Sequence, residues 1–166
     1  MVRESRSVET DKCIYPRQSY SAVGGGFERD FMAEILNTSP EVQAFAKPTR
    51  KHQLIIEYRD ADGITRPYEV DFIVKTAEAV YLVETKADKD LDSPGVALKA
   101  RAAQAWCESA TGVPPPDDLA QPTQWEYLLL SEGLFKGNRG LSFEALVPLC
   151  RALRDKVIAQ QQGKLF

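Results

Sequence analysis

Residues 68–86 read YEVDFIVKTAEAVYLVETK and predict two short β-strands joined by a turn. Side chains along a strand point to alternate faces, so Asp71 lies on one face of the first strand. By the same rule Glu84 and Lys86 share one face of the second strand, and Thr85 points to the other. Two acids and a lysine can therefore converge on one side of a hairpin. Such a set is typical of a phosphodiesterase that uses a divalent metal ion.

Two predicted helices each place an ionisable residue within an apolar arc. The first covers residues 27–36, FERDFMAEIL, and Glu28 falls near the middle of its arc. The second covers residues 96–110, and Lys99 lies inside its alanine-rich arc. A charge on a buried stripe needs a partner or a bound ion, so both are candidate site residues. Two alternatives stay open: Glu28 as a carboxylate at a helix start, and Lys99 with a packed stem and a solvated ammonium.

The remaining patterns predict one α/β domain over residues 21–166, preceded by an extended or poorly ordered lead-in over residues 1–20. A turn of helix is expected within residues 41–46 and a proline-rich loop over residues 111–122. The predicted order is helix, three strands, helix, strand, helix, which favours a central mixed β-sheet of four or more strands flanked by helices. The elements cover residues 27–36, 53–59, 68–75, 80–86, 96–110, 124–130 and a last helical region capped by Ser142.

Composition and charge bear on location and partners. No apolar run approaches the roughly 18 residues of a membrane span, so we expect a soluble, cytoplasmic protein with no membrane partner. The chain carries 21 Lys and Arg against 24 Asp and Glu, a net charge of -3. DNA affinity depends on neutralised phosphates, so the isolated domain is expected to bind nucleic acid weakly. Another domain or chain could supply the basic surface.

The cysteines and the histidine give no sign of a soft-ligand metal site. Cys13, Cys107 and Cys150 are widely separated and lack a CxxC or Cys/His spacing, which predicts buried free thiols rather than disulfides or a zinc site. His52 is the single histidine of the sequence and stands among basic residues, so we expect it at the surface.

The residues of the hairpin resemble the PD-(D/E)xK nuclease signature, with Asp71 followed after twelve residues by Glu84-Thr85-Lys86. Further segments resemble, in order, the C-terminal endonuclease domain of type III restriction enzyme Res subunits over about residues 10–130. These segments are TDKCIY, GGFERDF, PEVQAFAK, VDFIV, LVETK and ALKARAAQAWCE. GGFERDF followed by PEV is also similar to TnsA-like transposon endonucleases.

The resemblance implies a restriction-endonuclease-like fold and a deoxyribonuclease that hydrolyses phosphodiester bonds with Mg²⁺, for which Mn²⁺ could substitute. It assigns the metal ligands to Asp71, Glu84, the carbonyl of Thr85, and Glu28. Lys86 would position or help deprotonate the attacking water, or contact the scissile phosphate, and Lys99 would support the phosphate or the carboxylates. The implied substrate is double-stranded DNA, delivered by a helicase or translocase domain or by a modification subunit.

Two positions depart from the signature, with Val70 where proline usually precedes the first acid and Ala87 where glycine often follows the lysine. Val70 and the acidic charge leave open a second hypothesis, a catalytically weak or inactive nuclease-fold module that docks DNA or protein. A third is a stand-alone nuclease or resolvase, which differs in context and not in chemistry. The acids and the lysine could also form ordinary cross-strand ion pairs with no catalytic role. The chain has no P-loop, so an ATP-driven motor would lie elsewhere in a longer protein or in a partner.

Overall fold

The structure, a computed structural model, describes residues 6–21, 25–114 and 123–162. Its strands are, in chain order, β1 (Ser7–Glu9), β2 (Arg17–Ser19), β3 (Ala44–Ala46), β4 (Ile56–Arg59), β5 (Thr65–Tyr68), β6 (Phe72–Lys75), β7 (Val80–Lys86) and β8 (Trp125–Ser131). Its helices are α1 (Gly25–Phe31), α2 (Pro94–Thr111), α3 (Glu132–Gly137) and α4 (Phe143–Gln162). A π-helical turn, Met32–Leu36, continues α1.

The core of the fold is a four-stranded mixed sheet in the order β3-β6-β7-β8. The pairs β3–β6 and β6–β7 are antiparallel, whereas β7 and β8 are parallel. Parallel neighbours need a long crossover, and α2 supplies it between β7 and β8. Helices α2 and α4 pack against the sheet. The mixed α/β class and the central four-stranded sheet are therefore confirmed, and β7 has the bounds that the sequence predicts.

The two faces of β7 belong to two different hydrophobic cores. Val83 packs in one core with Phe31 of α1 and Phe72 of β6, while Leu82 packs in the other with the α2 residue Ala100. This alternation matches the period of two expected for a strand. The face that carries Leu82 continues toward the end of β7, where the candidate site lies.

The strand predicted over residues 68–75, the first of the hairpin, is wrong in its extent, because the structure divides it between two sheets. Tyr68 ends β5, which pairs with β4 in a separate two-stranded sheet, and Phe72 begins β6 of the central sheet. Val70 is buried between them, in the same core as Tyr68. Asp71 therefore lies just before β6, where its carboxylate can reach around the strand end.

Two N-terminal segments differ in detail from the prediction. Residues 6–20 are extended, as the first of the two alternatives proposes, but they form the antiparallel hairpin β1–β2; residues 1–5 lie outside the described residues. The segment predicted as a turn of helix within residues 41–46 contains β3. Phe45 is buried between two less buried alanines, as in a strand, and its N–H donates to the Lys12 carbonyl of the hairpin. Tertiary pairing thus outweighs the weak local pattern.

The helices confirm one predicted apolar stripe and correct the other. The first stripe is buried as expected at Phe31, Met32, Ile35 and Leu36. In α2 the buried stripe is rotated from the predicted arc, and it consists of Val96, Ala97, Ala100, Ala103 and Cys107. These residues are small, so they allow the helix to lie close to the sheet. Lys99 consequently sits at the border of the buried stripe and not within it.

The C-terminal part adds one helix that the sequence pattern did not predict, α3, whose start is capped by a hydrogen bond from the Leu134 N–H to Ser131 Oγ. The Ser142 hydroxyl accepts from the Ala145 N–H at the start of α4, as predicted. Pro148 lies within this single continuous helix. The proline-rich loop falls partly at residues 115–122, outside the described residues, and none of the described helices is long and apolar enough to cross a membrane.

Two of the three cysteines are buried as predicted. Cys107 and Cys150 are buried free thiols, and burial raises the pKa of each to about 12. The prediction is wrong for Cys13, a free thiol that is only half-buried. His52 is exposed, and its Nδ1 accepts a hydrogen bond from the Thr49 N–H.

Candidate active site

A cleft of about 620 Å³ opens where β7 ends and β6 begins. Its walls come from α1, from α3 and from the loop that follows β7. Four of the residues singled out in the sequence line it: Glu28, Asp71, Thr85 and Lys86. The structure thus brings residues from a helix and from two strands to one opening.

Asp71 is held by the end of β7. Its Oδ2 accepts two hydrogen bonds from Thr85, one from the backbone N–H at 2.8 Å and one from the hydroxyl at 2.7 Å. The side chain of Thr85 was expected on the face of β7 opposite Glu84 and Lys86. It can reach Asp71 because Asp71 lies just before β6 and not within the strand. Among the described residues both bonds to the carboxylate fall on Oδ2, so Oδ1 remains available to a ligand in the cleft.

Glu84 lies behind Asp71 and is only 5% exposed. Phe72 pairs with Val83, so the next position places Asp71 opposite Glu84, and the two acids are neighbours across the strands. Burial, and then the negative charge of Asp71, raise the pKa of Glu84 to about 7. The bonds that Glu84 accepts from Lys86 and Tyr68 act in the opposite direction.

Lys86 provides the positive charge beside this acid pair. Its Nζ lies 3.1 Å from Glu84 Oε1, and the side chain is 23% exposed. Burial lowers the pKa of Lys86, but the attraction of Glu84 and of Asp71 more than offsets it, so the net shift is upward. The lysine therefore carries its charge into the cleft from a fixed position.

The two adjacent carboxylates fit a hard divalent cation. When both are ionised, Asp71 and Glu84 carry two negative charges against the single positive charge of Lys86, and a cation would relieve the repulsion by Asp71 that helps to raise the Glu84 pKa. Carboxylate oxygens suit Mg²⁺ or Mn²⁺. No group of three or more Asp, Glu, His or Cys side chains within the described ranges could hold a metal ion. From the described part of the chain, further ligands would therefore be backbone carbonyls, with water or substrate oxygens completing the set.

Glu28 lines the cleft but does not join the acid pair. Its Oε2 lies 2.6 Å from Lys47 Nζ. The carboxylate of α1 is thus already neutralised by a residue that follows β3, and sequence periodicity gave no reason to single out Lys47.

Within the described residues, Lys99 is connected to the acid pair through aromatic rings. Its Nζ lies 5.8 Å from the ring centroid of Tyr58 and 5.2 Å from that of Tyr68. The Tyr68 hydroxyl in turn donates to Glu84 Oε2 at 2.9 Å. Tyr68 is a site residue that sequence reasoning missed, and the signal was a tyrosine at the start of the alternating stretch 68–75, because a buried tyrosine hydroxyl needs a partner.

A glycine lets the loop after β7 pack against α3 at the cleft wall. The Gly133 N–H donates to Asp88 Oδ1 at 3.1 Å. A Cβ atom at this position would lie 2.7 Å from Asp88 Oδ2, closer than such atoms pack. The absence of a side chain at residue 133 is therefore what allows this contact.

Replacing Tyr68 by phenylalanine is expected to lower the free energy of unfolding by about 2 kcal/mol at pH 8, because Glu84 loses a donor in a buried site. Urea denaturation in EDTA measures it. Tyr58→Phe is the matched control: it keeps the other ring beside Lys99 and should change stability by less than about 0.5 kcal/mol. Equal losses in the two variants would contradict a specific role for the Tyr68 hydroxyl.

Comparison of the chain with protein-family models, with curated proteins and with solved structures found no match.

Proposed function

We propose that this domain is a Mg²⁺-dependent DNA endonuclease that hydrolyses phosphodiester bonds in double-stranded DNA. One observation carries the proposal: Asp71 and Glu84 are neighbours at the strand ends, with the Lys86 ammonium 3.1 Å from Glu84, beside an open cleft. This arrangement is the one expected of the PD-(D/E)xK signature, which the sequence resembles.

Each side chain has a defined task in this proposal. Asp71 and Glu84 hold the cation, and Thr85 orients Asp71 through its N–H and hydroxyl. Tyr68 orients Glu84, a supporting contact of the kind that fixes metal-binding carboxylates. Lys86 places a positive charge at the cleft, where it can contact the phosphate or position water. A bound Mg²⁺ supplies Lewis-acid stabilisation of the phosphate and a lower pKa for the attacking water.

The negative charge of the domain supports a model in which another domain or subunit brings the DNA to the cleft. The chain has a net charge of -3, and the cleft is also lined by the acids Asp30, Asp90 and Glu132. A helicase or translocase domain, or a modification subunit, would provide the basic surface that holds the duplex. We therefore propose weak DNA binding by the isolated domain and cleavage at low salt and high protein concentration.

The test is cleavage of supercoiled plasmid DNA by the purified domain at low ionic strength in 5 mM Mg²⁺, with EDTA as the blank. Lys86→Met should reduce the rate at least about 100-fold, because it removes the charge that stabilises the phosphate. Lys89→Met is the matched control, since Lys89 is an exposed lysine of the loop after β7 and should leave the rate unchanged. Equal activity of both variants would refute the role of Lys86.

The second candidate function is a nuclease-fold module that docks DNA or protein without cutting. The observations that favour it are the Glu28–Lys47 pair and the lack, among the described residues, of three Asp, Glu, His or Cys side chains placed to hold one metal ion. Calorimetric titration with Mn²⁺ discriminates between the two functions. The nuclease should bind Mn²⁺ in a way that Asp71→Asn abolishes, whereas a docking module should show no such binding.

A further inference from the structure

Glu28 lines the cleft and forms an ion pair with Lys47, which lies outside the lining of the cleft. The atoms Glu28 Oε2 and Lys47 Nζ are 2.6 Å apart, and the side chains are only 15% and 21% exposed. Ion pairs at this depth are screened far less than surface pairs. The sequence resemblance assigns Glu28 to the metal, yet in the structure its nearest charge is an ammonium group.

Both partners are positioned by the same hydrophobic core. Lys47 directly follows β3, and its Nζ lies 5.1 Å from the ring centroid of Phe72. That ring packs edge-on against Phe31, with centroids 5.4 Å apart, and Phe31 belongs to the same helix as Glu28. The core therefore sets the distance between the carboxylate and the ammonium, and the pair does not depend on two flexible surface side chains.

Two groups of charged residues lie in or next to the cleft, and they differ in net charge. Glu28 and Lys47 together are neutral. Asp71 and Glu84 outnumber the charge of Lys86 and leave one negative charge uncompensated when both acids are ionised. A divalent cation is therefore attracted to Asp71 and Glu84. At Glu28 it would be repelled by the ammonium of Lys47.

We propose that Lys47 stands in for a second metal ion at Glu28, so that the site binds one divalent cation, held by Asp71 and Glu84. This inference rests on the proposed function, since the cation at Asp71 and Glu84 is part of it. Lys47 is then a positioning residue: it neutralises and fixes Glu28 at the cleft wall without touching the reacting atoms.

The experiment counts bound Mn²⁺ by calorimetry and by electron paramagnetic resonance, with no DNA present. The wild-type chain should bind one Mn²⁺. Lys47→Met keeps a chain of similar length over the Phe72 ring but leaves Glu28 uncompensated, so it should bind two. The double variant Lys47→Met with Glu28→Gln should return to one ion. Lys51→Met is the matched control and should bind one ion, because Lys51 is an exposed lysine of the segment that follows β3.

Two ions on the wild-type chain, one of them lost in Glu28→Gln, would overturn the inference while leaving the nuclease proposal standing. A folded Lys47→Met protein that still binds one ion overturns it as well. Glu28→Gln alone keeps the inference testable if Lys47→Met does not fold, because it should leave one ion bound with an affinity within about threefold of wild type. A wild-type chain with no Asp71-dependent Mn²⁺ binding contradicts the proposed function itself.

Discussion

Replacing Asp71 by asparagine is expected to lower Mg²⁺-dependent cleavage of DNA at least about 1,000-fold, which corresponds to about 4 kcal/mol of transition-state stabilisation. Asparagine has the same shape, and its amide oxygen can still accept from Thr85. The substitution therefore removes one negative charge from the acid pair and changes little else. Initial rates of plasmid nicking, compared at equal protein and Mg²⁺ concentrations, measure the effect.

Asp62→Asn is the control for Asp71→Asn, because Asp62 is an exposed acid of the β4–β5 turn. It changes the net charge by the same amount and should leave the rate at the wild-type value. Circular dichroism and the urea midpoint establish that both variants are folded. An Asp71→Asn protein that cleaves at the wild-type rate would falsify the assignment of Asp71 to the reaction.

Replacing Glu84 by glutamine is expected to stabilise the metal-free protein. The gain in unfolding free energy over wild type should be larger at pH 8 than at pH 4. The pKa of Glu84 is about 7 in the folded chain against an ordinary value of 4.5, so ionisation of this buried group opposes folding at high pH. This difference between the folded and ordinary pKa values of Glu84 corresponds to about 3 kcal/mol. Because glutamine cannot ionise, the unfolding free energy of the variant minus that of wild type should be larger by this amount at pH 8 than at pH 4.

The sign and the pH range follow from the upward shift. Glu84 favours the folded state below pH 4.5, and this contribution is lost as the pH rises through about 7. Urea denaturation in EDTA at several pH values should therefore show the gain of Glu84→Gln developing between these limits. Glu57→Gln, at an exposed strand residue, should differ from wild type by a constant amount. A pH-independent difference for Glu84→Gln would contradict the burial argument.

Mg²⁺ provides a separate check on the same residue. A ligand that binds only the folded state stabilises it by about 2.7 kcal/mol at a concentration one hundred times its dissociation constant. Wild-type protein at pH 8 should gain stability with added Mg²⁺, and Glu84→Gln should gain much less. In EDTA, ionised Glu84 lowers the unfolding free energy. Bound Mg²⁺ should restore this loss in the wild-type protein.

Much of the fold and part of the site could be predicted from local patterns. Strand β7 has its predicted bounds, and Glu84 and Lys86 meet because alternation places them on one face. The first helix buries its predicted stripe for the same kind of reason, since a period near 3.6 residues is a property of the backbone. The class of fold, a mixed sheet with helices, follows from the order of such elements.

The errors occur where local pattern is weak and tertiary contacts decide. β3 is only three residues long, and its pairing with β6 determines its conformation. In α2 many positions are alanine, so hydrophobicity alone does not distinguish the face that packs on the sheet. Lys99 was placed inside the buried arc on that ambiguous pattern, and the structure moves it to the border beside Tyr58 and Tyr68.

The amino-acid sequence by itself determined the hairpin that carries Asp71, Glu84 and Lys86, because strand alternation and short covalent spacing act over a few residues. Only the tertiary structure decided the further partner of Glu84 and the partner of Glu28. Tyr68 reaches Glu84 and Lys47 reaches Glu28 because two sheets and a helix pack around shared cores, which bring together residues 16 and 19 positions apart. Such contacts depend on the relative placement of whole elements, and no local period in the chain encodes it.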